Sequence, residues 1–107
     1  GMQSRDFIHV QDTVDAVVKL CRVLPAGESV NISTDNQITI GDLVARIAAM
    51  LGYTKEIVRM PARRADVLCH KGSNERVRSL INYSLTDFDA GLRETLDWYV
   101  NRVGAAK

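Results

Sequence analysis

RDFIHVQDTVDAVV, residues 5–18, opens on a charge pair, passes through a short apolar run and turns into a helical period. Phe7 to Val10 is apolar with a β-branched bias and predicts a strand. Asp12 reads as an N-cap, with Asp15 as a carboxylate near the helix start. Val14, Val17, Val18, Cys21 and Leu24 then recur at spacings of three and four, one face of a helix. Pro25 and Gly27 end it. A strand that feeds a helix directly is α/β logic. Arg5 and Asp6 make an odd head for a self-contained fold: a charge pair suits a strand that other chain precedes.

Outward from this stretch the alternation continues. Ser29 to Ser33 (SVNIS) is short and β-like, and residues 34–37 form a polar turn. Thr39 caps a second helix with Asp42 at the capping-box position. Ile40, Leu43, Val44, Ile47, Ala48 and Leu51 make its face, and Gly52 stands at C′. Glu56 to Met60 is a third strand candidate, stopped by Pro61. Pro61 to Gly72 has no clear period and holds Arg63, Arg64, Asp66, His70 and Lys71. Ser73 caps a short helix with Val77, Leu80 and Ile81. Thr86, with Asp89 three residues on, caps the last one, whose stripe is Phe88, Leu92, Leu96, Tyr99 and Val103 before Gly104.

The expected fold is therefore α/β: a single domain over residues 1–107, a small two-layer or three-layer-like fragment with about four helices and three short strands. Three short strands cannot cover one apolar face on each of four helices. The arithmetic asks for a missing part of the fold. Bare helix faces then predict self-association into a homo-oligomer.

Composition bounds the function. The 107 residues suit one domain, and 46% hydrophobic content suits a soluble core. The net charge of +1 gives no global pull toward nucleic acid or membrane. Arg59, Arg63, Arg64, Arg76 and Arg78 lack the interleaved aromatics of a nucleic-acid platform. Cys21 and Cys69, with no short spacing, suggest reduced, buried thiols and a cytoplasmic protein. No apolar run approaches bilayer length, and the polar N-terminus does not read as a signal peptide. Gly1-Met2 reads equally as a tag remnant or as native sequence.

The chemistry is sparse. His9 and His70 have no ligand-spaced neighbours, so no metal is expected, and His9 reads as a lining or packing residue. Gly41, Gly52 and Gly72 are isolated, so no phosphate loop is present. No serine sits in a nucleophile elbow. No tyrosine is followed by lysine four residues on: Tyr53, Tyr83 and Tyr99 lead to Ile57, Asp87 and Val103. No catalytic residue is expected. What remains is arginine. Arg5 and the Arg63-Arg64 pair offer planar donor forks that suit phosphate oxygens, and a carboxylate such as Asp66 can accept ribose hydroxyls. The plainer reading, a solvated loop with Asp66 paired to one of those arginines, stands beside it.

These residues resemble a family. RDFIHVQDTVDAVV is similar to a segment of extended short-chain dehydrogenases/reductases acting on nucleotide sugars, Arg-Asp-Phe/Tyr-Ile/Val-Tyr/His-Val-x-Asp before a helix. VNIST resembles their Tyr-Asn-Ile-Gly-Ser strand, PARRAD their Pro-x-Arg-x-Gly-Asp, and DAGLRETLDWYVNR their closing helix. Nearly the whole chain is covered, in order. The resemblance implies the C-terminal, nucleotide-sugar-binding part of a Rossmann-type NAD-dependent epimerase, dehydratase or reductase. The missing N-terminal Rossmann half would carry the cofactor, NAD or NADP, and the catalytic Tyr-x-x-x-Lys.

By the same resemblance Arg5 and Arg63 hold the diphosphate from opposite sides and Asp66 meets the ribose. Asp6 pairs or caps locally. Asn31 ends a strand close to the cofactor half. The fragment alone would bind no cofactor and be inactive. Its partners would be the nucleotide sugar and the missing half, with no nucleic acid and no membrane. The alternative is a non-catalytic binding or regulatory module of the same fold. The sequence departs from the pattern at Ala65 and Ser33, where the family prefers glycine, and at residues 82–85 (NYSL), where it carries Gly-Trp/Tyr-x-Pro. GSNERVR, residues 72–78, is somewhat like the GDP-sugar reductases and dehydratases.

Overall fold

Four helices account for most of the order in a computed structural model of the chain, which describes residues 2–61, 63, 68–69 and 72–105. The elements run β1 (Ser4–Arg5), α1 (Val10–Val23), β2 (Ile38–Thr39), α2 (Ile40–Leu51), α3 (Glu75–Leu80) and α4 (Phe88–Ala105). β1 and β2 pair antiparallel, with Ser4 opposite Thr39 and Arg5 opposite Ile38. Ile40 N–H extends the ladder to Gln3 O at 2.7 Å. On its other side Ser4 bridges Cys69 in parallel, and its N–H donates to Leu68 O at 2.8 Å. Three distant segments thus meet at Ser4. The fold is the small α/β assembly of four helices and a few short strands that the sequence predicts.

The strands lie elsewhere than expected. Residues 7–9, 29–33 and 56–60 are not in strands. A β-prone run becomes a strand only when a ladder partner offers hydrogen bonds. Here side chains take that role: Asn74 Nδ2 and Tyr83 OH both donate to Ser33 O, at 3.2 and 2.7 Å.

The N-cap of α1 is His9, whose Nδ1 accepts from Gln11 N–H at 3.1 Å. The α2 caps are as read: Thr39 Oγ1 accepts from Asp42 N–H, and Gly52 closes the helix at φ +69°. α3 follows Asn74, with Ser73 Oγ accepting from Glu75 N–H at 3.3 Å. At α4 Asp87, not Thr86, does the capping, accepting from Ala90 N–H at 3.2 Å.

α1 faces opposite to the expected way. Its buried stripe is Asp12, Ala16 and Leu20, while Val14, Val17, Val18 and Cys21 are exposed. The period marks a face made for apolar contact, and among the described residues nothing covers it. The cysteines correct the reading of buried thiols: both are exposed. Cys21 lies on that outward face, and Cys69 beside Ser4, its Sγ accepting from Gln37 Nε2 at 2.7 Å.

The core is thin. Among the described residues only Ala16, Leu20 and Val77 are buried hydrophobics. The radius of gyration is 16.7 Å, against ~13 Å for a folded chain of about 100 residues. The accessible surface is 8292 Å² for 11.9 kDa, roughly 2,300 Å² more than the scaling for folded monomers gives. No described helix is long and apolar enough to cross a membrane.

Candidate functional site

β1 positions the first of the expected site residues. Arg5 is half-buried, and its Nη1 donates to Ser4 O at 2.7 Å. The Ser4–Leu68 hydrogen bond brings the segment just after the arginine loop alongside Arg5's immediate neighbour. Arg63 is exposed. Asp66 lies outside the described residues, as do Arg64, Ala65, His70 and Lys71. Asn31 is exposed, two positions before the buried Ser33.

The two aspartates of RDFIHVQD turn out to be anchors, which the sequence does not announce. Asp6 does not act locally. Its carboxylate reaches 28 residues ahead and accepts from Thr34 N–H at 3.0 Å, from Thr34 Oγ1, and from Asp35 N–H at 3.0 Å. This holds a turn in which Asp35 sits at φ +58°, a left-handed conformation that aspartate tolerates better than most residues. Asp12, buried on α1, accepts from Thr86 N–H and Oγ1, both at 2.7 Å. It thereby ties α1 to the approach of α4. The only hint in the sequence is the acid-to-acid spacing of six, which does not name the partners.

Tyr83 sits between these anchors. Burial pushes its phenol above the ordinary range, and the nearby charges of Asp12 and Asp6 push the same way. Arg46 fastens α2 to α4. It bonds Asp42 at 3.1 Å and Asp89 at 2.7 Å, and lies 5.1 Å over the Phe88 ring. Those two carboxylates raise its already high pKa.

A cavity of about 460 Å³ opens between residues 7–9, α2 and α4. Phe7, Ile38, Ile47, Phe88, Leu92 and Tyr99 are among its walls. His9 lines it as expected, with Nε2 3.6 Å from Glu94 Oε2. Among the described residues the lining carries no arginine or lysine, and without cationic forks it is not suited to a diphosphate. Among the described residues no cluster of three or more His, Cys, Asp or Glu could hold a metal.

No protein-family model matches the chain. Individual proteins do. A dTDP-4-dehydro-6-deoxy-D-allose reductase from a Streptomyces species is 30% identical over 99 residues, 92% of this chain and 30% of its own length. The Bordetella bronchiseptica enzyme WbmF, solved in complex with NAD+ and UDP, is 29% identical with a TM-score of 0.81, over 98% of this chain and 31% of that one. The dTDP-glucose 4,6-dehydratase of Bacillus anthracis, solved with NAD, is 27% identical with a TM-score of 0.84, over 94% of this chain and 32% of that one. The chain spans about a third of the length of the relatives it matches. Over that third, the relatives and solved structures it resembles are NAD(P)-dependent epimerases, dehydratases and reductases of nucleotide sugars, of the extended short-chain dehydrogenase/reductase type.

Proposed function

We propose that this chain is the nucleotide-diphosphate grip of such an enzyme, with Arg5 and Arg63 on the diphosphate, Asp66 on the ribose and Asn31 toward the cofactor half. The carrying observation is the pairing at Ser4. It supports the reading because it sets the chain that follows Arg63 and Asp66 beside the residue preceding Arg5. Two guanidinium forks converging on one ligand would suit a pyrophosphate, whose oxygens accept paired hydrogen bonds. Binding energy gathered there would orient a sugar for chemistry performed by other residues. WbmF, solved with UDP, supports the ligand class.

The residues present do not fit a nicotinamide cofactor. A dinucleotide pyrophosphate uses the free N–H groups of a helix start behind a glycine-rich loop. α1 and α2 begin instead on His9 and Thr39, whose side chains occupy first-turn N–H groups. No hydride or proton step is therefore assigned to this chain. The whole parent's reaction, an epimerisation, dehydration or reduction of a nucleotide sugar, belongs to the part outside it.

Titration calorimetry with UDP, GDP and dTDP tests the grip. Arg5→Ala and Arg63→Ala should each weaken diphosphate binding by about tenfold and leave the bare nucleosides unaffected. Diphosphate affinity unchanged from that of the parent chain in both variants would remove the assignment. Turnover of a nucleotide sugar with NAD by this chain alone would overturn the division of labour.

A further inference from the structure

We infer that Gln37 is a positioning residue for nucleotide-diphosphate binding, a role that presupposes the grip proposed above: it holds the chain that follows Arg63 and Asp66 against β1. Its Nε2 donates to Cys69 Sγ at 2.7 Å. β2 pairs with one edge of β1, and residues 68–69 meet the other edge at Ser4. Gln37 immediately precedes β2, so its side chain joins the two segments that flank the strand of Arg5. Its neighbour Ile38 is the residue opposite Arg5.

The backbone of Gln37 is itself fixed from β1. Asp6 accepts from Thr34 N–H and Asp35 N–H, each at 3.0 Å. Thr34 Oγ1 accepts from Asn36 N–H at 3.2 Å, and Asn36 Oδ1 from Gln37 N–H at 3.0 Å. A relay of hydrogen bonds thus runs from Asp6 to the Cys69 thiol. Arg5 stands between its two ends: Ser4 holds residues 68–69, and Asp6 holds the turn that carries Gln37.

Chain length gives the link its consequence. Leu68 follows Arg63 by only a few positions, a tether of at most about 18 Å when fully extended. The Ser4 N–H bond to Leu68 O pins the far end of that tether at one point. The Gln37 bond to Cys69 pins it at a second, one residue on. With both in place the reach of the Arg63 guanidinium from β1 is bounded, and its effective concentration at a diphosphate held by Arg5 is high. With the second released, the segment pivots on the first and that concentration falls. Sulfur is a weak acceptor and the pair is exposed, so the link contributes to position more than to stability.

Titration calorimetry of the intact chain with UDP, GDP and dTDP tests this. Gln37→Leu should weaken diphosphate binding by about fivefold and leave the urea midpoint unchanged. In an Arg63→Ala background the same substitution should have no further effect, whereas in an Arg5→Ala background it should still cost about fivefold. A general loss of structure would act equally in both backgrounds. Cys69→Ser keeps an acceptor for Gln37 and should bind as the parent does. Cys69→Ala should weaken binding, and adding Gln37→Leu to it should weaken binding no further. Absence of binding, or Arg5→Ala and Arg63→Ala variants that bind as the parent does, would overturn the grip and the positioning role with it. Dependence on both arginines but not on Gln37, equal Gln37 effects in the two arginine backgrounds, or additive losses at Gln37 and Cys69 would overturn the positioning role alone.

Discussion

Gly91 on α4 lies against the ring of His9, so closely that a Cβ built on Gly91 would stand 2.9 Å from His9 Cδ2. The ring cannot easily yield, because Nδ1 caps α1 and Nε2 lies toward Glu94. A glycine inside a helix costs about 1 kcal/mol relative to alanine, and here that cost allows α4 to close on the start of α1. Gly91→Ala should therefore destabilise the chain by about 1–2 kcal/mol, the overpacking exceeding the gain in helix propensity. In a His9→Ala background the same change should become neutral or stabilising. Urea denaturation of the four variants checks it, and a Gly91→Ala protein as stable as the parent would refute the contact.

The Asp12–Thr86 link yields a second prediction. Both oxygens of a buried carboxylate are engaged, one by a backbone N–H and one by a hydroxyl. Asp12→Ala strands the Thr86 N–H in a part-buried place, and should cost about 2–3 kcal/mol. Thr86→Val removes only the hydroxyl and should cost about half as much. If calorimetric unfolding showed equal losses, the backbone bond would not be the dominant contribution.

The same two residues explain what was legible in the sequence. Asp12 and Thr86 are both good capping residues, and local rules assign each to a helix start. In the structure they bind each other across 74 positions, and the capping falls to His9 and Asp87. A side chain with two possible uses is decided by tertiary contact, which spacing does not encode. Thr39 and Gly52 had no such rival, and α2 has the predicted caps.

The strands failed for a related reason. Residues 29–33 have strand chemistry, but side chains hold their carbonyls: Asn74 and Tyr83 donate to Ser33 O and Arg76 to Ser29 O. The valine period of α1 was read correctly as an apolar face and incorrectly as the face this chain buries. Of the candidate site, Arg5 and the loop after Pro61 were legible as chemistry. The pairing of Ser4 with residues 68–69 was not, because a parallel bridge spanning 65 positions has no sequence signature.

Ser33 offers a third test. Its Oγ is buried with no hydrogen-bond partner among the described residues, although its carbonyl accepts two side-chain donors. A Cβ on the neighbouring Gly72 would come within 3.0 Å of Ser33 Cβ, so the space is tight as well. Ser33→Ala keeps the backbone and deletes the stranded hydroxyl. It should raise stability by about 1 kcal/mol in urea titration, whereas Gly72→Ala should lower it. A loss on Ser33→Ala would mean that the hydroxyl has a partner.

Tyr83 gives the pH dependence. Its phenol loses its proton less readily in the folded chain, first because it is buried and then because Asp12 and Asp6 are near. Above the ordinary tyrosine pKa of about 10, the unfolded chain has released a proton that the folded one retains. Stability is then complete below about pH 10 and declines as pH rises toward the raised folded value. Phenolate absorbance should show one of the three tyrosines titrating later than the other two, and Tyr83→Phe should abolish that late step. The variant should also lose about 1 kcal/mol at neutral pH with the hydrogen bond to Ser33 O, while its stability becomes flatter with pH above about 10. If Tyr83→Phe left the alkaline decline unchanged, the strain on the phenol would lie at another residue and the Asp6–Tyr83–Asp12 cluster would carry no electrostatic load.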